Sequence, residues 1–274
     1  MGNKKLSIIT INRNNAEGLR ETIESLFAQT CKEFECIIVD GASTDGSFDV
    51  IKEYDRKLEN GDWRLENFKW ISEPDAGIYN AMNKGLKMAH GEYTLMLNSG
   101  DYLVDEHVIE RMMPELDGMD IVQGNVIVEQ EGKENVLRGY GKSDISFIDV
   151  MKNHFLHQAS FCRRDLFERY GYFDESYRIN GDTVFYAKCL GFGNATFRYI
   201  DINVAYYDTT GISADPDEKW VALRKEEDER YAQMFSMRMW DLFYKEEKKI
   251  KLYDKLHAHK WSWWVTMIIA RMIK

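Results

Sequence analysis

The sequence predicts an α/β protein: a mostly parallel central sheet flanked by helices, with a helical extension at the C-terminus. Three observations carry that reading. Through the first hundred residues, short β-rich apolar runs alternate with segments of helical periodicity. Several of these runs, or the turns just after them, end in small polar residues and a carboxylate. Residues 216–249 are heavily charged and space Trp220, Leu223, Tyr231, Met234 and Met237 as one long amphipathic helix would.

Leu6–Ile11 is the first apolar run, closed by the polar stretch Asn12–Asn15. Asn14 or Asn15 can cap a helix on which Leu19, Ile23, Leu26 and Phe27 share a face. A second strand, Phe34–Val39, ends at Asp40, and the turn formers of Gly41–Ser47 lead into a helix through Phe48, Val50, Ile51 and Tyr54. This rhythm implies parallel pairing with right-handed crossovers. Phe68–Ile71 reads as a third strand running into Ser72-Glu73-Pro74-Asp75-Ala76-Gly77, where Pro74 and Gly77 enforce a turn. Ile78–Ala89 is helical, with Ile78, Met82 and Leu86 on one face. Tyr93–Leu97 is too short for a helix and reads as a buried strand before Asn98-Ser99-Gly100-Asp101.

Asp40, Asp75 and Asp101 thus follow three strands of one parallel sheet, and open α/β sheets bind ligands at that edge. Each alone can be a turn former, a helix cap or a metal ligand. Together, carboxylates repel a bare phosphate but hold a divalent cation that in turn holds a diphosphate, and they accept hydrogen bonds from ribose or a base N–H. The chemistry points to a nucleotide sugar. The Gly-rich phosphate loops of dinucleotide-binding and P-loop folds, and of a nucleotidyltransferase, are absent.

At this point the sequence resembles a family 2 glycosyltransferase of the GT-A (nucleotide-diphospho-sugar transferase) fold, over roughly residues 5–215. The resemblance rests on Ser7–Asn14, Val39–Gly46, Ser72–Gly85 and Leu97–Asp101, taken in order and spacing. It implies a GT-A domain over 1–215, with a nucleotide-sugar-binding half (1–103) and an acceptor half (104–215), then a C-terminal helical extension (216–274). Thr10, Asn12, Asp40, Asp75, Asn83 and Gly100 become the nucleotide-sugar-binding set, with Asp40 on the base, usually uracil. Asp101 becomes the ligand of Mg2+ or Mn2+. The chain departs from the family where Asn98 and Gly100 stand at positions frequently held by aspartate. That departure motivates an alternative, a non-catalytic nucleotide-sugar-binding or scaffold protein of the same fold.

In the acceptor half, residues 120–128 and 135–137 suggest further strands in a mixed extension of the sheet. The resemblance places His157 and Gln158 on the acceptor side; a hydrogen-bonded core histidine is the other reading of His157. Asp182, in Asn180-Gly181-Asp182 before an apolar helix, is either an N-cap or, by resemblance, the catalytic base. A single base and one in-line displacement imply inversion. Thr209–Ser213 resembles a loop that closes over donor phosphates, or is a linker.

Composition limits the partners. A net charge of −10 over 274 residues opposes general nucleic-acid binding. Cys31, Cys36, Cys162 and Cys189 lack metal-type spacing and read as reduced thiols. The N-terminus lacks a signal peptide's apolar stretch, so the expected location is cytoplasmic. Residues 248–274 carry a net +6, leaving −16 for the rest. With Trp261, Trp263 and Trp264 among lysines, residues 250–274 read either as a helix lying on anionic lipid at the inner face of the plasma membrane, or as one packed on the protein body or on a second subunit in a homodimer. The expected partners are the nucleotide-sugar donor and a saccharide or lipid-linked saccharide acceptor.

Overall fold

A computed structural model describes residues 5–59, 68–130, 132–152 and 155–257. They divide into two compact units, residues 1–227 and 228–274.

The first unit is built on one nine-stranded sheet. Strand β1 (Leu6–Asn12) lies between β2 (Phe34–Asp40) and β4 (Tyr93–Met96), and β3 (Phe68–Ser72) pairs with β2, all in parallel. Every residue of β1 and β2 is buried, which is why these runs are apolar throughout instead of alternating. Leu6 and Ile8 pack with Leu19, Ile23 and Leu26 of α1 (Ala16–Ala28) and with Val50 and Ile51 of α2 (Ser47–Glu59). Asn15 caps α1, its Oδ1 accepting from the Gly18 N–H at 3.1 Å. Helix α3 is Ile78–Met88.

Beyond β4 the sheet becomes mixed, as expected, through β8 (Ser160–Arg163), β6 (Ile121–Gln130), β9 (Phe197–Tyr206) and β5 (Tyr102–Leu103), with β7 (Lys133–Leu137) on β6. The short helices α4 (Val108–Met112), α5 (Phe147–Met151), α6 (Asp165–Tyr170) and α7 (Gly181–Tyr186) lie between these strands in sequence. All four cysteines are free, and three are buried.

The long helix expected over 216–249 is two helices, α8 (Glu218–Ala232) and α9 (Met237–His257). Phe235 turns inward between Tyr231 and Trp240. The carbonyl of Ser236 accepts from the Met239 N–H at 2.9 Å, and its hydroxyl faces the same N–H at 3.4 Å. Serine's competition for backbone hydrogen bonds favours a new start over continuation. No helix among the described residues is long and apolar enough to cross a membrane. Residues 258–274, with their tryptophans, lie outside the described residues.

Candidate active site

The parallel strands deliver their C-terminal ends to one edge. There Asp40, the last residue of β2, stands opposite Asn12, the last of β1. The buried Asp40 carboxylate accepts from Asn12 Nδ2 (2.9 Å), the Ser43 N–H (3.0 Å), the Ser43 hydroxyl (2.5 Å) and the Ser72 hydroxyl (2.6 Å). Burial works against its charge, but these donors outweigh it and hold Asp40 below the usual carboxylate range. Asp75 lies close by: a Cβ on Gly41 would sit 2.9 Å from its Oδ2. Its Oδ1 pairs with Lys84 of α3 at 2.7 Å. Asn83 of α3 uses its amide on the chain at 173–175, donating to the Phe173 carbonyl and Glu175 and accepting the Phe173 N–H. That arrangement ties α3 to the chain at 173–175.

Two buried oxygens at this edge have no hydrogen-bond partner, Thr10 Oγ1 and Asn12 Oδ1. A third, Asn98 Oδ1, follows β4. Buried polar atoms are nearly always paired, so three orphans in two neighbouring strand ends mark capacity for a bound polar group. Main-chain bonds continue the β1–β4 pairing past the strand, from the Leu97 N–H to the Ile9 carbonyl and from the Ser99 N–H to that of Ile11. This carries Asn98 alongside β1.

Gly100 and Asp101 complete that turn. Gly100 has φ +99°, a conformation glycine adopts without strain. A Cβ there would lie 2.4 Å from Asp208 Oδ2. Asp208, just after β9, is a residue the sequence reading missed; its signal is the one Asp40 gives, a carboxylate at the end of an apolar run. The space beside position 100, where the family often has an aspartate, is filled by this second carboxylate. Asp101 Oδ1 accepts the Asp208 N–H at 2.9 Å. Burial, with Asp208's charge adding to it, pushes the Asp101 carboxyl up to about 7 against the opposing pull of His157.

Among the described residues no cluster of three or more His, Cys, Asp or Glu side chains is placed to hold a metal. Two adjacent carboxylates are nonetheless a hard-oxygen donor set that suits Mg2+ or Mn2+ when substrate phosphates supply further oxygens. The residues fit the ion in that shared form.

The third group joins α7 to this edge. Asp182 lies in the first turn of α7, and Asn180, not Asp182, is the cap residue. Its carboxylate is 3.0 Å from the Tyr79 hydroxyl at Oδ1 and 3.0 Å from His157 Nδ1 at Oδ2. His157 Nε2 faces Asn98 Nδ2 at 3.3 Å. With the proton on Nδ1, the ring donates to Asp182 and accepts from Asn98. Burial opposes charge on both partners, yet each stabilises the other: Asp182 is lowered below the ordinary range and His157 is raised. Gln158 is buried in the same turn. Asn98, His157, Asp182 and Tyr79 therefore form one continuous polar chain. Tyr79, a second residue without an assigned role in the sequence, is fitted against Gly181, where a Cβ would meet its ring at 2.7 Å.

Known proteins with related sequences and folds agree in kind. A family model described as glycosyl transferase family 2 matches residues 7–171. The PGL/p-HBAD biosynthesis glycosyltransferase of Mycobacterium bovis is 31% identical over 208 residues, 75% of this chain and 77% of that protein. Staphylococcus aureus TarS 1–349, in complex with UDP-GlcNAc, has a TM-score of 0.62 at 20% identity, over 80% of this chain and 64% of that one. The mannosyltransferase PcManGT of Pyrobaculum calidifontis, in complex with GDP-Man and Mn2+, has a TM-score of 0.59 at 19% identity, over 80% and 59%. The chain thus spans less than two thirds of either solved chain.

Proposed function

Because this chain belongs to glycosyl transferase family 2, we propose that it moves a sugar from a nucleotide-diphosphate donor, UDP-linked by preference, to a hydroxyl of a saccharide or lipid-linked saccharide. It is a glycosyltransferase of the GT-A fold. The observation that carries the finer reading is the meeting of Asp101 and Asp208 at the sheet edge, with the Asp182–His157 pair linked to them through Asn98. Of the two departures that motivate the non-catalytic reading, Asn98 and Gly100, the second is offset by Asp208, which fills the space beside position 100.

In this mechanism Thr10, Asn12 and Asp40 order the nucleoside end, and Asp75 stands beside them. Asp101 and Asp208 would hold Mg2+ or Mn2+, which would supply positive charge for the diphosphate. Asp182, kept ionised by His157 and Tyr79, takes the proton of the acceptor hydroxyl as its oxygen attacks the anomeric carbon. The nucleoside diphosphate leaves from the opposite face, so the anomeric configuration inverts. His157, donating from Nδ1, orients the carboxylate.

A thermal-shift panel of UDP, GDP, dTDP and CDP, each with and without Mn2+, tests the donor site. A ligand that binds only the folded state raises its melting temperature by mass action. Metal-dependent stabilisation by UDP, lost in Asp101→Ala, is the expected result. No stabilisation by any of the four would overturn the donor assignment.

A further inference from the structure

Helix α8 carries Glu226-Glu227-Asp228-Glu229, a charged run that reads as a solvated face. Three of these side chains are exposed, but Glu227 is 1% exposed. A buried carboxylate is costly unless hydrogen bonds replace its water. Here three consecutive main-chain N–H groups do so. Oε1 accepts from Arg178 at 2.6 Å, and Oε2 accepts from Ile179 at 2.9 Å and Asn180 at 2.8 Å. Such a run of N–H groups forms an anion-binding concavity, filled in this case by the protein's own side chain.

The segment so held leads directly into Asp182. It is gripped from α3 as well: the Tyr79 hydroxyl lies 2.5 Å from the Ile179 carbonyl and 3.0 Å from Asp182, and the Arg178 guanidinium donates to the Ala76 carbonyl. A tyrosine has one hydroxyl hydrogen for these two acceptors, so it cannot fix the segment alone. Glu227 supplies the fixed bonds. Its two carboxylate oxygens grip residues 178–180, which stand within four residues of Asp182.

We propose that Glu227 is a positioning residue for the Asp182 carboxylate, setting where residues 178–182 stand relative to His157 and the acceptor hydroxyl. The inference rests on the reading of Asp182 as base. In chemical terms, Glu227 serves the segment that carries Asp182 although it follows the sheet in sequence. Misplacing a base by a fraction of an ångström to one ångström costs turnover more than binding.

The test is Glu227→Gln in the full-length protein, which keeps the side chain's shape but turns an –NH2 toward one of the three N–H donors. With UDP-GlcNAc and Mn2+ as probe and UDP release as readout, kcat should fall about tenfold while KM for the donor stays within about twofold. In an Asp182→Asn background the same change should have no further effect, since the group it positions is already lost. The His157 imidazole 15N signals, read by NMR without turnover, should move toward those of Asp182→Asn. Glu227→Gln that only lowers the melting temperature, with kcat and the His157 signals unchanged, overturns the proposal. If Asp182→Asn retains full UDP release, the base reading fails instead. The His157 signals then still decide whether Glu227 positions Asp182.

Discussion

The main-chain N–H of Asp208 donates to the Asp101 carboxylate at 2.9 Å, joining two acidic residues that stand 107 positions apart in the chain. The contact places the end of β9 against the turn after β4. It also accounts for Gly100: a larger residue would collide with the Asp208 carboxylate. The site thus draws its second acid from a different strand.

Replacing Asp208 by alanine should weaken UDP binding in the presence of Mn2+ about tenfold or more, with little change when Mn2+ is omitted. Calorimetric titration with UDP, with and without Mn2+, reads both. Equal binding by wild type and Asp208→Ala under both conditions would remove Asp208 from the metal site.

Gly100→Ala combines a left-handed backbone with a Cβ placed 2.4 Å from Asp208 Oδ2. A loss of about 1–3 kcal/mol is expected from the strained conformation, with a further loss from the clash. Urea denaturation of Gly100→Ala and of Gly100→Ala/Asp208→Ala separates the two. The double variant should recover the steric part only, so an additive result would place Asp208 elsewhere.

Asp101 titrates at about 7, against roughly 4 for an exposed aspartate. Between these values the folded protein keeps a proton that the unfolded chain has lost. This group's contribution to stability is therefore full below about pH 4, and is lost as the pH rises through about 7. Without metal, wild type should lose stability relative to Asp101→Asn across that window. Because a cation needs the ionised carboxylate, UDP–Mn2+ affinity should climb up to about pH 7 and level off above it. Melting temperatures at several pH values, with and without Mn2+, check both trends.

Asp182→Asn should lower transfer by about 10²–10⁴-fold while leaving UDP binding intact. His157→Gln takes away the partner that keeps Asp182 ionised despite its burial. The Asp182 pKa should then rise, moving the acidic limb of the kcat profile to higher pH. A rate profile that keeps its acidic limb in His157→Gln would separate the pair from catalysis.

Deleting residues 250–274 removes most of the net +6 segment and its three tryptophans. Vesicles containing phosphatidylserine should retain the full chain and release the shortened one in sedimentation assays. Equal retention of both would reject the membrane reading and leave packing on the protein body or on a second subunit.

The order β1-α1-β2-α2-β3-α3-β4 was legible from residue order, because each element is a local periodicity bounded by its own turn chemistry. So were Asp40 and Asp101, since a carboxylate after a buried apolar run is a local signal. The mixed half was legible only in outline: β8, β9 and the two-residue β5 are short or less regular, and their partners are distant in sequence. Local periodicity tells how deeply a residue is buried but not what it meets. Asp208 beside Asp101, Tyr79 on Asp182 and Glu227 under residues 178–180 span 47 to 107 positions, and the tertiary fold alone brings them together. The sequence by itself determined the parallel half of the sheet, with Asp40 and Asp101 at its edge. Only the tertiary structure decided which carboxylates share a site, because that depends on where a strand distant in sequence, β9, takes its place in the sheet and ends.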